Sequence, residues 1–284
     1  MGARPWRILI DGRLSGARNM AVDAAILRAV EAGESPPTLR FYGWSPWCVS
    51  LGHFQKPERE LDAAALREGG WDFVTRPTGG RAVLHAEEIT YSILARKDEA
   101  PWCETLAVSY ERIGSAWAAA LDGFGLDMVR GVSGMSDEFA PLREGDSPAP
   151  PCFASSARSE LAFGARKVVG SAQRRTREAF VQHGSIPVTP DHERLVEVLP
   201  LDAAGRSEYL RVLRTHAISL GEITALPGAV DSVDWTVWER RMAATLLVEL
   251  GVTGSEGALT AEESAFADRR EAEHRDKQRV FLGE

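Results

Sequence analysis

Cysteine is scarce in this chain: three residues in 284, odd in number and widely spaced. Such a set builds no disulfide framework and suits a reducing compartment, where a lone thiol is either inert core or reactive. Long apolar runs are missing as well. None approaches the roughly 20 residues that a membrane span needs, and Met1-Gly2-Ala3-Arg4-Pro5-Trp6 lacks the apolar centre of a secretory signal. The expectation is a cytoplasmic protein without a membrane partner. Positive charge is not in excess either: the formal net charge is −8, which argues against general binding to nucleic acid. The six histidines show no metal-ligand spacing, and there is no phosphate-binding loop or dinucleotide fingerprint. No metal and no cofactor are expected.

What is present is an ordinary globular composition, 44% hydrophobic and 26% charged, in a chain long enough for one large domain with an appendage. Residues 7–10 read as a strand, 19–30 as a helix closed by Gly33, and 38–44 as a strand with 46–52 as its hairpin partner. A short helix at 61–68 and a strand at 73–75 follow, then a helix at 105–121. Residues 131–151 change character and carry prolines at 141, 148, 150 and 151, the mark of a long loop. Residues 160–163 and 166–173 form a hairpin, and 180–188 another strand. The remainder is helical, at 191–198, 208–216, 232–250 and 260–280, the last opening with a capping box from Thr260 to Glu263. Short hairpins with helices before and after imply an α+β fold.

The stretch from Arg76 through Gly79, Gly80 and His85 to Leu94 draws attention first. Its glycine pair allows a positive φ or a close backbone approach, with Arg76, Arg81 and His85 as polar flanks. By itself it is a glycine turn between strands. Of the thiols, Cys48 lies in the apolar run Trp47-Cys48-Val49 and reads as buried core. Cys103 has Glu104 beside it, which opposes a thiolate. Cys152 stands at the exit of the proline-rich loop, with Arg158, Arg166 and Lys167 following, the setting a nucleophilic thiolate needs. Lys167 is either the cation that favours that thiolate or a solvated strand end. The cluster Arg166, Lys167, Arg174, Arg175 and Arg177 is either a solvated turn or a patch that docks an acidic partner.

Taken in order, the blocks 19–23, 41–44, 50–55, 76–85, 152–153, 167–175 and 182–186 resemble the lipoate and biotin protein ligase superfamily, and most closely its LipM-type octanoyltransferases. The resemblance implies a mixed β-sheet flanked by helices, with a catalytic domain over residues 1–225 and a helical C-terminal region over 226–284 packed on it. It also implies transfer of an octanoyl group from octanoyl-acyl carrier protein to the lysine of a lipoyl carrier protein, either glycine cleavage protein H or a dehydrogenase E2 lipoyl domain. In such a family Cys152 would carry the acyl group as a thioester and Lys167 would depress its pKa. Arg76, Gly79, Gly80, His85, Gly170, Ala172, His183 and Gly184 would bind the acyl substrate, and Arg174 and Arg175 would dock a protein partner. Ala24 and Ala86 replace acidic residues usual in the family, leaving open which carboxylates brace the site. An ATP-dependent lipoate ligase, an octanoyl amidotransferase between lipoyl domains and a non-catalytic homologue are the alternatives.

Overall fold

A computed structural model describes residues 4–102, 105–125, 129–130, 161–224 and 234–283. Its frame is an eight-stranded mixed sheet in the order β11-β1-β2-β6-β10-β9-β8-β7. The strands are β1 (Trp6–Leu14), β2 (Thr38–Trp44), β6 (Glu88–Arg96), β7 (Val129–Arg130), β8 (Leu161–Phe163), β9 (Arg166–Arg175), β10 (Ala179–Pro187) and β11 (Gly254–Glu256). β1 runs parallel to β2 and β11, and the neighbours from β2 to β7 are antiparallel.

Alternation along the central strands decides where chemistry can sit. Leu39 and Phe41 of β2 and Ile89, Tyr91 and Ile93 of β6 point to one face and join Phe180 and Trp117 in the largest core cluster. That face is covered by α4 (Leu106–Asp122) and α7 (Trp235–Glu249). The intervening residues, Arg40, Tyr42, Thr90 and Ser92, point the other way, as do His183 and Ser185 of β10; all are buried. Side chains alternate strictly along a strand, so the second face of the sheet centre is polar and needs partners there.

Above that second face lie α1 (Gly16–Glu31) and a three-stranded sheet, β4 (Asp72–Thr75), β3 (Cys48–Leu51) and β5 (Val83–His85), in that order. The expected hairpin between β2 and residues 46–52 does not form. β3 pairs instead with β4 in parallel and with β5 antiparallel. All four β3 residues are buried, the pattern of a strand flanked on both sides rather than of a half-exposed hairpin arm. Two short helices, α2 (Pro57–Glu60) and α3 (Ala63–Gly69), bridge β3 and β4. The helix expected at 191–198 is a 3-10 helix over Pro190–Val198, followed by α5 (Ala203–His216) and α6 (Leu220–Thr224).

The C-terminal residues are woven into this frame. β11 adds a strand beside β1, and α8 (Ala261–Leu282) lies along α1, with Ala267 against Ala21, Ala25 and Ile26. Small residues on both helices permit that close approach. The Thr260–Glu263 capping box forms as read from the sequence. Its glutamate also takes two hydrogen bonds from Arg7 at 2.6 and 2.7 Å and one from Ser35 at 2.8 Å, all in the interior. Among the described residues no helix is long and apolar enough to cross a membrane.

Candidate active site

A narrow pocket opens where the polar face of the main sheet meets the small sheet. It has a volume of about 50 Å³ and is lined by Met20, Tyr42, Trp44 and Val83 together with Ser50, Arg76, His85, Lys167 and a run of β9 and β10 residues. Of the residues singled out in the sequence, Arg76, His85, Lys167, Gly170, Ala172, His183 and Gly184 all meet here. The antiparallel register of β9 and β10 brings the last four together: His183 lies opposite Ala172, Gly184 opposite Ser171 and Ser185 opposite Gly170. Glycine at 184 serves the opposite, apolar face of the sheet, since a Cβ there would lie 2.4 Å from the Tyr91 ring.

Lys167 is 3% exposed, not the solvated strand end that its sequence context also allowed. It lies at the start of β9, and Arg174 and Arg175 lie at the other end, roughly 23 Å along the strand at 3.3 Å per residue. The five basic residues are therefore not one patch. Arg166 pairs with Glu222 at 3.3 Å. Exposed Arg174 donates to the Pro77 carbonyl at 3.1 Å, tying the far end of β9 to the glycine loop.

Gly79 and Gly80 are exposed at the loop rim and do not line the pocket. Arg76 explains how the loop is held. Its buried guanidinium donates to the Gly79 carbonyl at 3.0 Å, the Arg81 carbonyl at 2.7 Å and the Ser50 carbonyl at 2.8 Å. Gly80 has φ 95°, a region that only glycine adopts freely. Gly52 allows the loop to pack down, because a Cβ on it would fall 2.0 Å from the Gly80 carbonyl oxygen.

Two carboxylates brace the pocket, and neither was assigned a role from the sequence. Glu88 Oε1 accepts from His85 Nδ1 at 2.7 Å, Thr90 at 2.5 Å and the Trp44 indole at 3.1 Å, while its Oε2 accepts from Ser185 at 2.5 Å. Trp44 also stacks on the His85 ring, 4.1 Å between centroids. Beneath them Asp23 accepts from Arg40 at 2.8 Å, Ser92 at 2.9 Å and Tyr42 at 3.2 Å. Burial pushes the Asp23 carboxyl up, yet Arg40 and His183 beside it together outweigh that and hold it below the usual carboxylate range. His183 lies 4.0 Å from Asp23, and its other ring nitrogen is 2.6 Å from the Thr78 hydroxyl. Burial lowers the His183 pKa, with Asp23 opposing, so its neutral form is favoured. These two acids fill the need left open by Ala24 and Ala86, from one position earlier on α1 and two positions later after β5.

Cys48 is fully buried, and burial pushes its thiol pKa well up, which disfavours a thiolate there. Cys103 and Cys152 lie outside the described residues. Among the described residues no group of three His, Cys, Asp or Glu could hold a metal ion.

Comparison with known proteins agrees with the arrangement. Residues 15–240 match the family model for the lipoyl protein ligase A/B catalytic domain. An octanoyltransferase LipM from Kyrpidia tusciae is 38% identical over 95% of this chain and 96% of its own length. Another from Moorella thermoacetica is 40% identical over 78% and 80%. In fold, the chain superposes on a bi-partite lipoate protein ligase from Thermoplasma acidophilum with a TM-score of 0.75 at 19% identity, covering 98% of this chain and 96% of that one. A lipoate-protein ligase A bound with ATP gives a TM-score of 0.73 at 19% identity, with 99% of both chains covered. The chain belongs to the lipoyl protein ligase A/B catalytic domain family.

Proposed function

We propose that this acyltransferase moves an octanoyl group from octanoyl-acyl carrier protein, through a thioester on Cys152, to the lysine of a lipoyl carrier protein in lipoate biosynthesis. The observation that carries the reading is the burial of Lys167 in a slot it shares with His85, Arg76 and His183. It is supported by octanoyltransferase relatives at 34–40% identity. A cation in that slot would favour a thiolate brought to it. Thioester exchange onto Cys152 is near balance, and amide formation on the carrier lysine runs downhill, so no ATP is consumed. Splitting one acyl transfer into two steps lowers each barrier.

On this reading Arg76 forms part of one wall of the acyl site, with Gly79 and Gly80 at its rim, and Gly170, Ala172 and Gly184 form the other wall. Arg174 and Arg175, at the loop end of β9, dock a carrier protein. Residues 1–225 carry the chemistry, and residues 226–284 brace them through β11 and α8. The acceptor is glycine cleavage protein H or a dehydrogenase E2 lipoyl domain. The rival reading is an ATP-dependent ligase, favoured only by the shared fold. Incubation with octanoyl-acyl carrier protein and a lipoyl domain, with and without ATP, separates the two. The expected result is full octanoylation without ATP; strict ATP dependence would overturn the proposal.

A further inference from the structure

The hydrogen-bond directions around Ser50 are set by its neighbours. Around the Glu88 carboxylate stand the hydroxyls of Thr90 and Ser185, the Trp44 indole N–H and His85 Nδ1. A carboxylate only accepts, so His85 Nδ1 carries the proton and, in the neutral ring, Nε2 is the acceptor. Ser50 Oγ lies 2.7 Å from that Nε2 and donates to it. Arg76 Nη1 donates to the same Ser50 oxygen at 2.9 Å. A serine hydroxyl has one donor and two acceptor positions. Among the described residues these contacts use the donor and one acceptor position, which leaves one lone pair of a residue that lines the pocket.

We propose that Ser50, His85 and Glu88 form a proton relay that deprotonates the amine attacking the acyl thioester. This rests on the thioester reading above. The incoming lysine arrives as a neutral amine and donates an N–H to the remaining lone pair of Ser50. Its nitrogen bonds to the acyl carbon, the carbon–sulfur bond breaks and the sulfur leaves as a thiolate. The amine proton passes to Ser50 Oγ as the Ser50 proton passes to His85 Nε2. The resulting imidazolium is held by Glu88, and its proton then returns to solvent. Glu88 is a positioning residue, fixing the ring tautomer, and Trp44 stacked on His85 fixes the ring plane. Arg76 stabilises negative charge on the Ser50 oxygen during the exchange. Loading the enzyme from a thioester donor releases no amine proton, so the relay serves the second half-reaction alone.

The test separates the half-reactions in the full chain. Loading is followed by intact mass after mixing with octanoyl-acyl carrier protein. Transfer is followed in a single turnover from the isolated loaded chain to a lipoyl domain. Ser50→Ala and His85→Gln are each expected to lower the ratio of transfer rate to loading rate by about 100-fold or more, the usual size of positioned acid–base catalysis. Ser50→Thr, which keeps the hydroxyl, restores most of that ratio. With two protons in flight, the transfer rate of the unsubstituted chain bows against deuterium fraction, and the bow disappears in Ser50→Ala. Equal losses in both half-reactions, or an undiminished ratio in both variants, would mean the cluster merely holds the loop and would overturn the relay. If the unsubstituted chain never loads, the thioester reading fails and the relay falls with it.

Discussion

Asp23→Asn is the sharpest probe of the buried polar layer under the pocket. Arg40 is 0% exposed, and Asp23 and Asp11 are the two carboxylates within salt-bridge reach of it among the described residues, at 2.8 and 2.7 Å. Asparagine keeps the shape and one acceptor but removes the charge, leaving a buried guanidinium with Asp11, which is 27% exposed. Removing one partner of a buried pair costs about 3–5 kcal/mol, and the surviving Asp11 contact places the expected loss near the lower end. At about 3 kcal/mol the melting temperature of a chain this size falls by roughly 6–12 °C. The pH dependence has a definite sign. The folded-state pKa of Asp23 lies below its ordinary value, so its stabilisation is present above about pH 4 and is lost as pH falls through the folded value. Urea denaturation of both proteins from pH 7 downward should show a gap that is constant at neutral pH and begins to narrow below about pH 4. A loss under 1 kcal/mol, or a gap that widens in acid, would refute the assignment of Asp23 as the ionised partner of Arg40.

Two further outcomes follow from charge placement. Glu239 on α7 has its pKa raised to about 7, chiefly by burial and then by Asp11. A raised folded pKa means its contribution is fully present below the ordinary value and is lost as pH rises through 7. Glu239→Gln should therefore match the parent near pH 4 and exceed it above pH 7 by about 1 kcal/mol once solvent screening is allowed for; thermal melts at the two pH values check this. Arg174→Glu combined with Arg175→Glu should raise KM for the acyl carrier protein and flatten its salt dependence, and steady-state kinetics at two ionic strengths would show an unchanged KM if docking lies elsewhere.

Local features were legible in the sequence. The β8–β9 hairpin, α1, α4 and the Thr260–Glu263 capping box each rest on contacts a few residues apart, where pattern and propensity decide. Non-local choices were not. The four β3 residues read as strand, but their partners lie at Asp72–Thr75 and Val83–His85, and nothing within the run distinguishes those from β2. The site divided along the same line. Arg76, His85 and His183 stood out as polar residues beside glycines, and they do line one pocket. Asp23 carried no such signal, because its partners Arg40, Tyr42 and Ser92 come from other elements. Nor did Glu88, which, although His85 and Thr90 are its neighbours in sequence, is completed by Trp44 and Ser185 from other strands. The trace they left was alternation: buried strands β2 and β6 that place a polar residue at every second position call for partners on that face. Lys167 was ambiguous for a related reason, since a strand-start lysine is buried or solvated according to what packs above it.

The central claim is that Cys152 carries the acyl group. Intact-mass and peptide analysis after brief mixing with octanoyl-acyl carrier protein, without ATP and without acceptor, tests it most directly. The account predicts a single octanoyl adduct on the peptide containing Cys152, discharged by a lipoyl domain and absent in Cys152→Ser. An adduct on any other residue, or octanoylation of the acceptor at an unchanged rate by Cys152→Ser, would contradict it.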